Sequence, residues 1–309
     1  MKEIEPGKRL DSTFVAVDCQ ARTDSRGEAY LSLRLGDRTG SVDARMWRLP
    51  SELKEGFSRP EYVRVEGQAH EYRGQLQVKV ERMSVLDSSE VSEEDYIPAT
   101  EKDRQVLAAE LELIADELVN PYIYELFALM VSDEEFWEAF CTAPAAKAMH
   151  HARLGGLLEH SVHCLRLAKS LAELYPADRD VLYFGAIFHD VGKVRELSWK
   201  HGGFSYTTEG RLLGHVVLGE RIVGGYIAQI PGFPDELAMH ISHILLSHQG
   251  EVEYGSPERP KTLESLLIHF IDNLDARAAM FLETTANVSS GGWSHHDNPL
   301  GRALYLPDE

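Results

Sequence analysis

The sequence predicts a two-part chain: a small all-β barrel followed by an all-α domain built round metal-ligating side chains. Three observations predict it. Apolar residues alternate with polar ones in runs between residues 30 and 80, the period of strands with one dry face. From about Lys102 onward apolar residues recur every three or four positions, the period of a helix. Eleven of the fourteen histidines fall between His150 and His269, inside the helical part.

In the barrel, expected over residues 1–88, Leu31, Leu33 and Leu35 alternate with Tyr30, Ser32 and Arg34. Val42, Ala44 and Met46 alternate with Asp43, Arg45 and Trp47, and Leu76, Val78 and Val80 with Gln75, Gln77 and Lys79. Thr13–Val17 and Tyr62–Val65 complete five strands, separated at Gly27, at Gly36–Gly40 and at Tyr72–Gly74. Five short strands without a long helix between them fit a small closed barrel. The OB-fold is the five-stranded member that binds single strands, although periodicity alone leaves other small barrels open. On the outer face, Tyr30, Trp47 and Tyr72 are candidates for stacking bases, each stack being worth about 1–3 kcal/mol. Arg34, Arg45 and Arg73 lie nearby for phosphate. The bland alternative is that these aromatics close the barrel ends or pack on the helical part.

Residues 89–101 form a polar, acidic stretch expected to be a linker, because it has too little apolar surface to fold by itself. Residues 102–144 read as connecting helices. Val106, Leu107, Leu111, Ile114 and Leu118 keep the helical period, and Pro121 opens a second helix with Ile123, Leu126, Phe127 and Met130. The metal domain is expected over 145–285, with helices at Leu157–Leu174, Val181–His189, Leu237–Leu246 and Leu263–Arg277. The tail, residues 286–309, carries no readable role.

His189-Asp190 ends an apolar run, where a polar pair needs a reason. With His160 upstream and Asp272 downstream it gives a mixed N/O ligand set suited to a first-row divalent ion such as Mn, Fe, Co or Zn. His215 and His248 are candidates for a second site, with Asp190 bridging, as in two-metal hydrolases. Lys193 lies one turn past Asp190 and faces the same side. A lone histidine on a helix is more often a satisfied core or surface residue, so the weight falls on the set.

The order of these residues resembles the HD phosphohydrolase superfamily, whose signature is a His, a His-Asp pair and a distal Asp on an all-helical core. The segments Gly155–His160, Gly192–Leu197, Glu209–His215, Tyr254–Pro257, Arg259–Glu264 and Asp272–Ala276, with His150-His151, are similar to the YhaM-type 3′-to-5′ exoribonucleases. The strand-turn segment Leu35–Val42 with Met46-Trp47 resembles nucleic-acid-binding OB domains, which YhaM-type enzymes carry before the HD domain. The resemblance implies hydrolysis of single-stranded RNA, or of single-stranded DNA, to nucleoside monophosphates. It implies one or two divalent ions, manganese first, with Asp190 and Lys193 catalytic and Lys193 on a phosphate oxygen. Gln249 departs from the pattern, standing where a second imidazole is expected and weakening the second site. His243 is held in reserve, and His163 reads as packing or support.

Two other functions compete: hydrolysis of a small or cyclic nucleotide, and a strand-binding accessory whose HD domain is structural. Net charge is −19, yet residues 1–88 hold 15 basic and 15 acidic residues while 89–309 hold 16 and 35. Any generic attraction for a polyanion therefore belongs to the first part. Three widely spaced cysteines, Cys19, Cys141 and Cys164, exclude a disulfide framework and a thiolate zinc ribbon. Cys164 reads as a small buried apolar residue. No long apolar run and no apolar signal region predict a cytoplasmic protein with no membrane partner.

Overall fold

The computed structural model describes residues 4–24, 27–38, 40–47, 61–72, 75–91, 95–147, 152–199, 203–286 and 288–308. It divides into a barrel unit, Met1–Ala99 with Trp199–Phe204, and a helical unit, Thr100–Ser198 with Ser205–Glu309.

Five strands, β1 Arg9–Thr23, β2 Ala29–Asp37, β3 Gly40–Met46, β4 Glu61–Tyr72 and β5 Gln75–Val85, close a barrel in the order β1-β2-β3-β5-β4. The β3–β5 pair is parallel, and β4 returns antiparallel to β1. This is the OB-type barrel expected. The alternating residues Leu31, Leu33, Leu35, Val42, Ala44, Met46, Val78 and Val80 all point into one buried core. Full burial of such side chains stabilises by roughly 1.5–3 kcal/mol each. Two strands run well past the expected segments, β1 with a register shift after Val17 and β4 with one at Glu66/Gly67. Gly67 is there for space: a Cβ would stand 2.4 Å from the Lys79 carbonyl oxygen. In the expected linker, Ile97 is fully buried and Tyr96 meets Tyr62 edge-on at 5.4 Å.

The helical unit opens with α1 Arg104–Glu112, α2 Pro121–Ser132 and α3 Glu134–Thr142. Asp103, Asn120 and Asp133 cap their first amides, the usual reason a polar residue precedes an apolar helical run. There follow α4 Gly156–Ala172, α5 Arg179–Phe188, α6 Lys193–Glu196, α7 Thr208–Ile227, α8 Asp235–Ser247 and α9 Leu263–Thr285. A two-residue pairing, β6 Leu197–Ser198 with β7 Ser205–Tyr206, interrupts a region expected to be wholly helical. α5 is buried along nearly its whole length, from Asp180 to Phe188, so it forms the centre of the unit. Phe188 packs against Phe127, Phe140 and Phe184 with ring centroids 4.9–6.0 Å apart. Among the described residues no helix is long and apolar enough to cross a membrane.

Candidate metal centre

Five helices bring the polar residues to one interior. His160 projects from α4, and His189 and Asp190 follow the end of α5. His215 lies in α7 directly after Gly214, whose non-helical φ of 72° kinks that helix. His248 caps α8, and Asp272 and Asp275 lie on α9. Gly192 fixes the α7 contribution: a Cβ there would lie 1.9 Å from the His215 carbonyl oxygen, so only glycine allows the two segments to meet.

Two N/O ligand groups result, and Cys164 makes a further grouping with His160 and His189. In the first, Nε2 of His160 and of His189 are 3.1 Å apart. Asp272 Oδ1 stands 3.4 and 3.8 Å from them, and Asp190 Oδ2 3.7 Å from each. In the second, Nε2 of His215 and of His248 approach the other Asp190 oxygen, Oδ1, at 3.4 and 3.5 Å. Asp190 thus presents one oxygen to each group. Within each group the ligand atoms lie no more than 4.8 Å from one another.

Every imidazole is turned the same way. Nδ1 donates to the carbonyl oxygen of Ala186 from His189 and of Leu245 from His248, at 3.1 and 2.8 Å. His160 and His215 donate instead to carboxylates, Asp275 at 2.7 Å and Glu196 at 3.2 Å. An acceptor on each Nδ1 assigns the ring proton there and leaves the Nε2 lone pair facing inward. Two such nitrogens 3.1 Å apart repel unless a cation, a proton or a metal ion, lies between them. Asp190 Oδ1, buried and without a hydrogen-bond partner, is a second feature that suits a cation. The donor set therefore fits a divalent ion with N/O preference.

Charge balance agrees. Burial alone would raise Asp190, but the Lys193 ammonium and the imidazoles of His189, His248 and His215 outweigh it and hold the carboxyl far below its usual range. Burial also opposes ionisation of Asp272, and the neighbouring imidazoles of His160 and His189 reverse the effect. Burial pulls His160 down, and the carboxylates of Asp272 and Asp275 oppose it and raise the ring above its usual value. Burial dominates at His248 and lowers it.

Lys193 Nζ lies 2.5 Å from Asp190 Oδ2, so the lysine faces the centre as its spacing indicated. Cys164, expected as inert packing, lies with its sulfur 3.6 Å from His160 Nε2, and burial pushes its thiol up to about 11. The Gln249 amide reaches into the second group, 3.0 Å from His248 Nε2 and 3.4 Å from His215 Nε2. His243 accepts from the Lys261 amide at 2.9 Å, and among the described residues it belongs to neither ligand group. His150 and His151 lie outside the described residues. Asp275 and Glu196 were not foreseen, because their partners are distant in sequence. The one available signal was that Asp275 shares a helix face with Asp272, three residues earlier.

In the barrel unit, Tyr30 stacks on Trp47 with centroids 4.7 Å apart. Arg45 lies over Tyr30 and over Tyr72, at 5.6 Å from each ring centre. Four of the six residues expected at a strand, Tyr30, Arg45, Trp47 and Tyr72, thus form one cluster, with Trp47 and Tyr72 exposed. Arg73 lies outside the described residues. Beside the cluster runs a groove of about 390 Å³ lined by Arg22, Arg34, Asp43, Arg45 and Gln77. Arg22 had no sequence signal of its own.

The sequence profile of the HD domain matches residues 157–277. The chain is 33% identical to the 3′-5′ exoribonuclease YhaM of Shouchella clausii (strain KSM-K16), covering 97% of this chain and 94% of that protein. It is 32% identical to 3′-5′ exoribonuclease YhaM of Bacillus subtilis (strain 168), over 98% and 96%. The solved second OB-fold domain of replication protein A from Methanococcus maripaludis is similar at 17% identity, over 28% of this chain and 93% of that one, with a TM-score of 0.24.

Proposed function

The chain belongs to the family of the YhaM 3′-5′ exoribonucleases, and from that premise we propose that it removes nucleoside monophosphates hydrolytically from the 3′ end of single-stranded RNA. The observation that carries this reading is the pair of ligand groups sharing Asp190, whose buried Oδ1, in the second group, has no hydrogen-bond partner. A structural HD domain would have no reason to aim four imidazole nitrogens and two carboxylates at one interior.

Divalent ions held there, with manganese the proposed one, supply an activated water and neutralise charge on the phosphoryl oxygens. His160, His189, Asp190 and Asp272 form the first holding set; Asp190, His215 and His248 form the second. Asp190 is placed to serve both because its two oxygens face different groups. The Lys193 ammonium keeps Asp190 ionised, and its other N–H donors are available for a non-bridging phosphate oxygen. Gln249 supplies an amide where imidazole would bind a first-row ion more firmly, so the second set is the weaker.

The barrel provides the grip. Trp47 and Tyr72 offer exposed rings for bases, while Arg45 and Arg34 line the groove for phosphates. Tyr30, already stacked on Trp47, supports that ring.

The test is a metal-stripped preparation given single-stranded RNA labelled at its 5′ end, with and without Mn²⁺. Progressive shortening from the 3′ end with release of monophosphates, only when metal is present, is the expected result. Internal cuts, or cleavage of cyclic nucleotides alone, would overturn it. The same experiment on single-stranded DNA sets the preference between the two, which we expect to favour RNA.

A further inference from the structure

Asp275 belongs to neither ligand group, yet both its oxygens are engaged by imidazoles. Oδ2 accepts from Nδ1 of His160 at 2.7 Å, and Oδ1 accepts from Nδ1 of His163 at 2.8 Å. His163 lies almost one turn past His160 on α4, so the two rings stand side by side above one carboxylate. The far nitrogen of His163, Nε2, is 2.7 Å from Nζ of Lys102. The same ammonium meets Glu159, one of whose oxygens is 2.9 Å away.

Donor and acceptor chemistry fixes every direction in this row. An ammonium has only donors, so His163 Nε2 must accept and Nδ1 must carry the proton. A carboxylate has only acceptors, so Asp275 takes that proton on one oxygen and the Nδ1 proton of His160 on the other. His160 is left with its Nε2 lone pair directed into the first ligand group. His189 and His248 reach the same state with a backbone carbonyl alone. A carboxylate acceptor is the stronger partner and makes the ring more basic toward a cation.

We propose that Lys102, His163 and Asp275 form a positioning chain that fixes the tautomer and orientation of His160 and so sets the ion affinity of the first ligand group. The proposal rests on the reading of that group as a metal site. Lys102, half exposed just before α1, carries the chain to the surface. None of the three belongs to either ligand group.

The experiment measures Mn²⁺ binding to the metal-stripped full-length protein, counting free Mn²⁺ by its electron paramagnetic resonance signal. Asp275→Asn is expected to weaken binding about 10–100-fold, because one amide cannot accept from both rings. His163→Ala should weaken it in the same direction, while His163→Asn, which returns an N–H near the place of Nδ1, should recover most of the affinity. Thermal unfolding checks that each variant is folded; should Asp275→Asn fail to fold, the His163 pair decides alone. His189→Ala is the reference that removes a ligand outright. Lost affinity in His189→Ala beside wild-type affinity in His163→Ala overturns the chain and leaves the metal site standing. Equal loss in His163→Ala and His163→Asn also overturns it, since packing and not the hydrogen bond would then matter. Wild-type affinity in His189→Ala removes the metal reading and the proposal with it.

Discussion

At the residue scale, Asp190 is the side chain with the greatest share of the centre. Asp190→Asn should therefore lower exonuclease turnover by at least about a hundredfold, while the protein still folds and strand binding stays close to wild type. Turnover preserved in a metal-replete variant would remove Asp190 from the centre. His160 gives a prediction about pH. The carboxylates beside it favour its protonated form, and a proton on Nε2 competes with an ion for the same lone pair. Proton and metal compete, so Mn²⁺ affinity should rise with pH from 6.5 until the raised value is passed, with proton release measurable by calorimetry in buffers of different ionisation heat. An affinity flat across that range would show that His160 does not hold the ion. At this scale the candidate ligands that the structure brings together were legible in the sequence because each sits in a short, patterned segment. Asp275 and Glu196 were not, since a carboxylate that orients a ring is identified only by the ring it touches.

At the scale of elements, the two ligand groups have different sources: α4, the end of α5 and α9 build the first, while α7 and the end of α8 add to Asp190 for the second. Titrating Mn²⁺ into metal-stripped variants should separate them. His215→Ala should raise the half-activating concentration before it lowers the maximal rate, whereas Asp272→Ala should lose activity at every concentration. Gln249→His should shift the half-activating concentration downward. Identical curves for wild type and His215→Ala would favour a single ion. The junction of α6 and α7 is equally testable: Gly192→Ala must push the His215 backbone away and should cost about 1–3 kcal/mol by denaturant unfolding. The sequence foretold β2, β3 and β5 because their faces alternate cleanly. It understated β1 and β4, where register shifts break the alternation, and gave no helix for α7, whose period is broken by the kink at Gly214. α3 was passed over too: nine residues with polar positions between its aromatics present too short a period.

At the scale of the whole molecule, charge divides the labour. Residues 1–88 are balanced while the rest carries the acidic excess, so the helical unit has little generic attraction for a polyanion. A chain shortened to residues 100–309 should bind a long single strand far more weakly, yet cleave a minimal ester such as bis-p-nitrophenyl phosphate nearly as fast. Equal affinity of the shortened and whole chains for a long strand, measured by anisotropy, would show that the barrel is not the grip. The two rings and carboxylates around His160 have a further consequence. His160 and its α9 partner Asp275 are 115 positions apart in sequence, so the first ligand group assembles only when distant parts of the chain meet. An ion seated between α4 and α9 thus ties together a long loop as a reversible cross-link would, and a covalent tie over about 100 residues removes chain freedom worth roughly 4.7 kcal/mol. Chelation should then do more than stop turnover: it should open the helical unit to proteases, and loading must wait until the chain has folded.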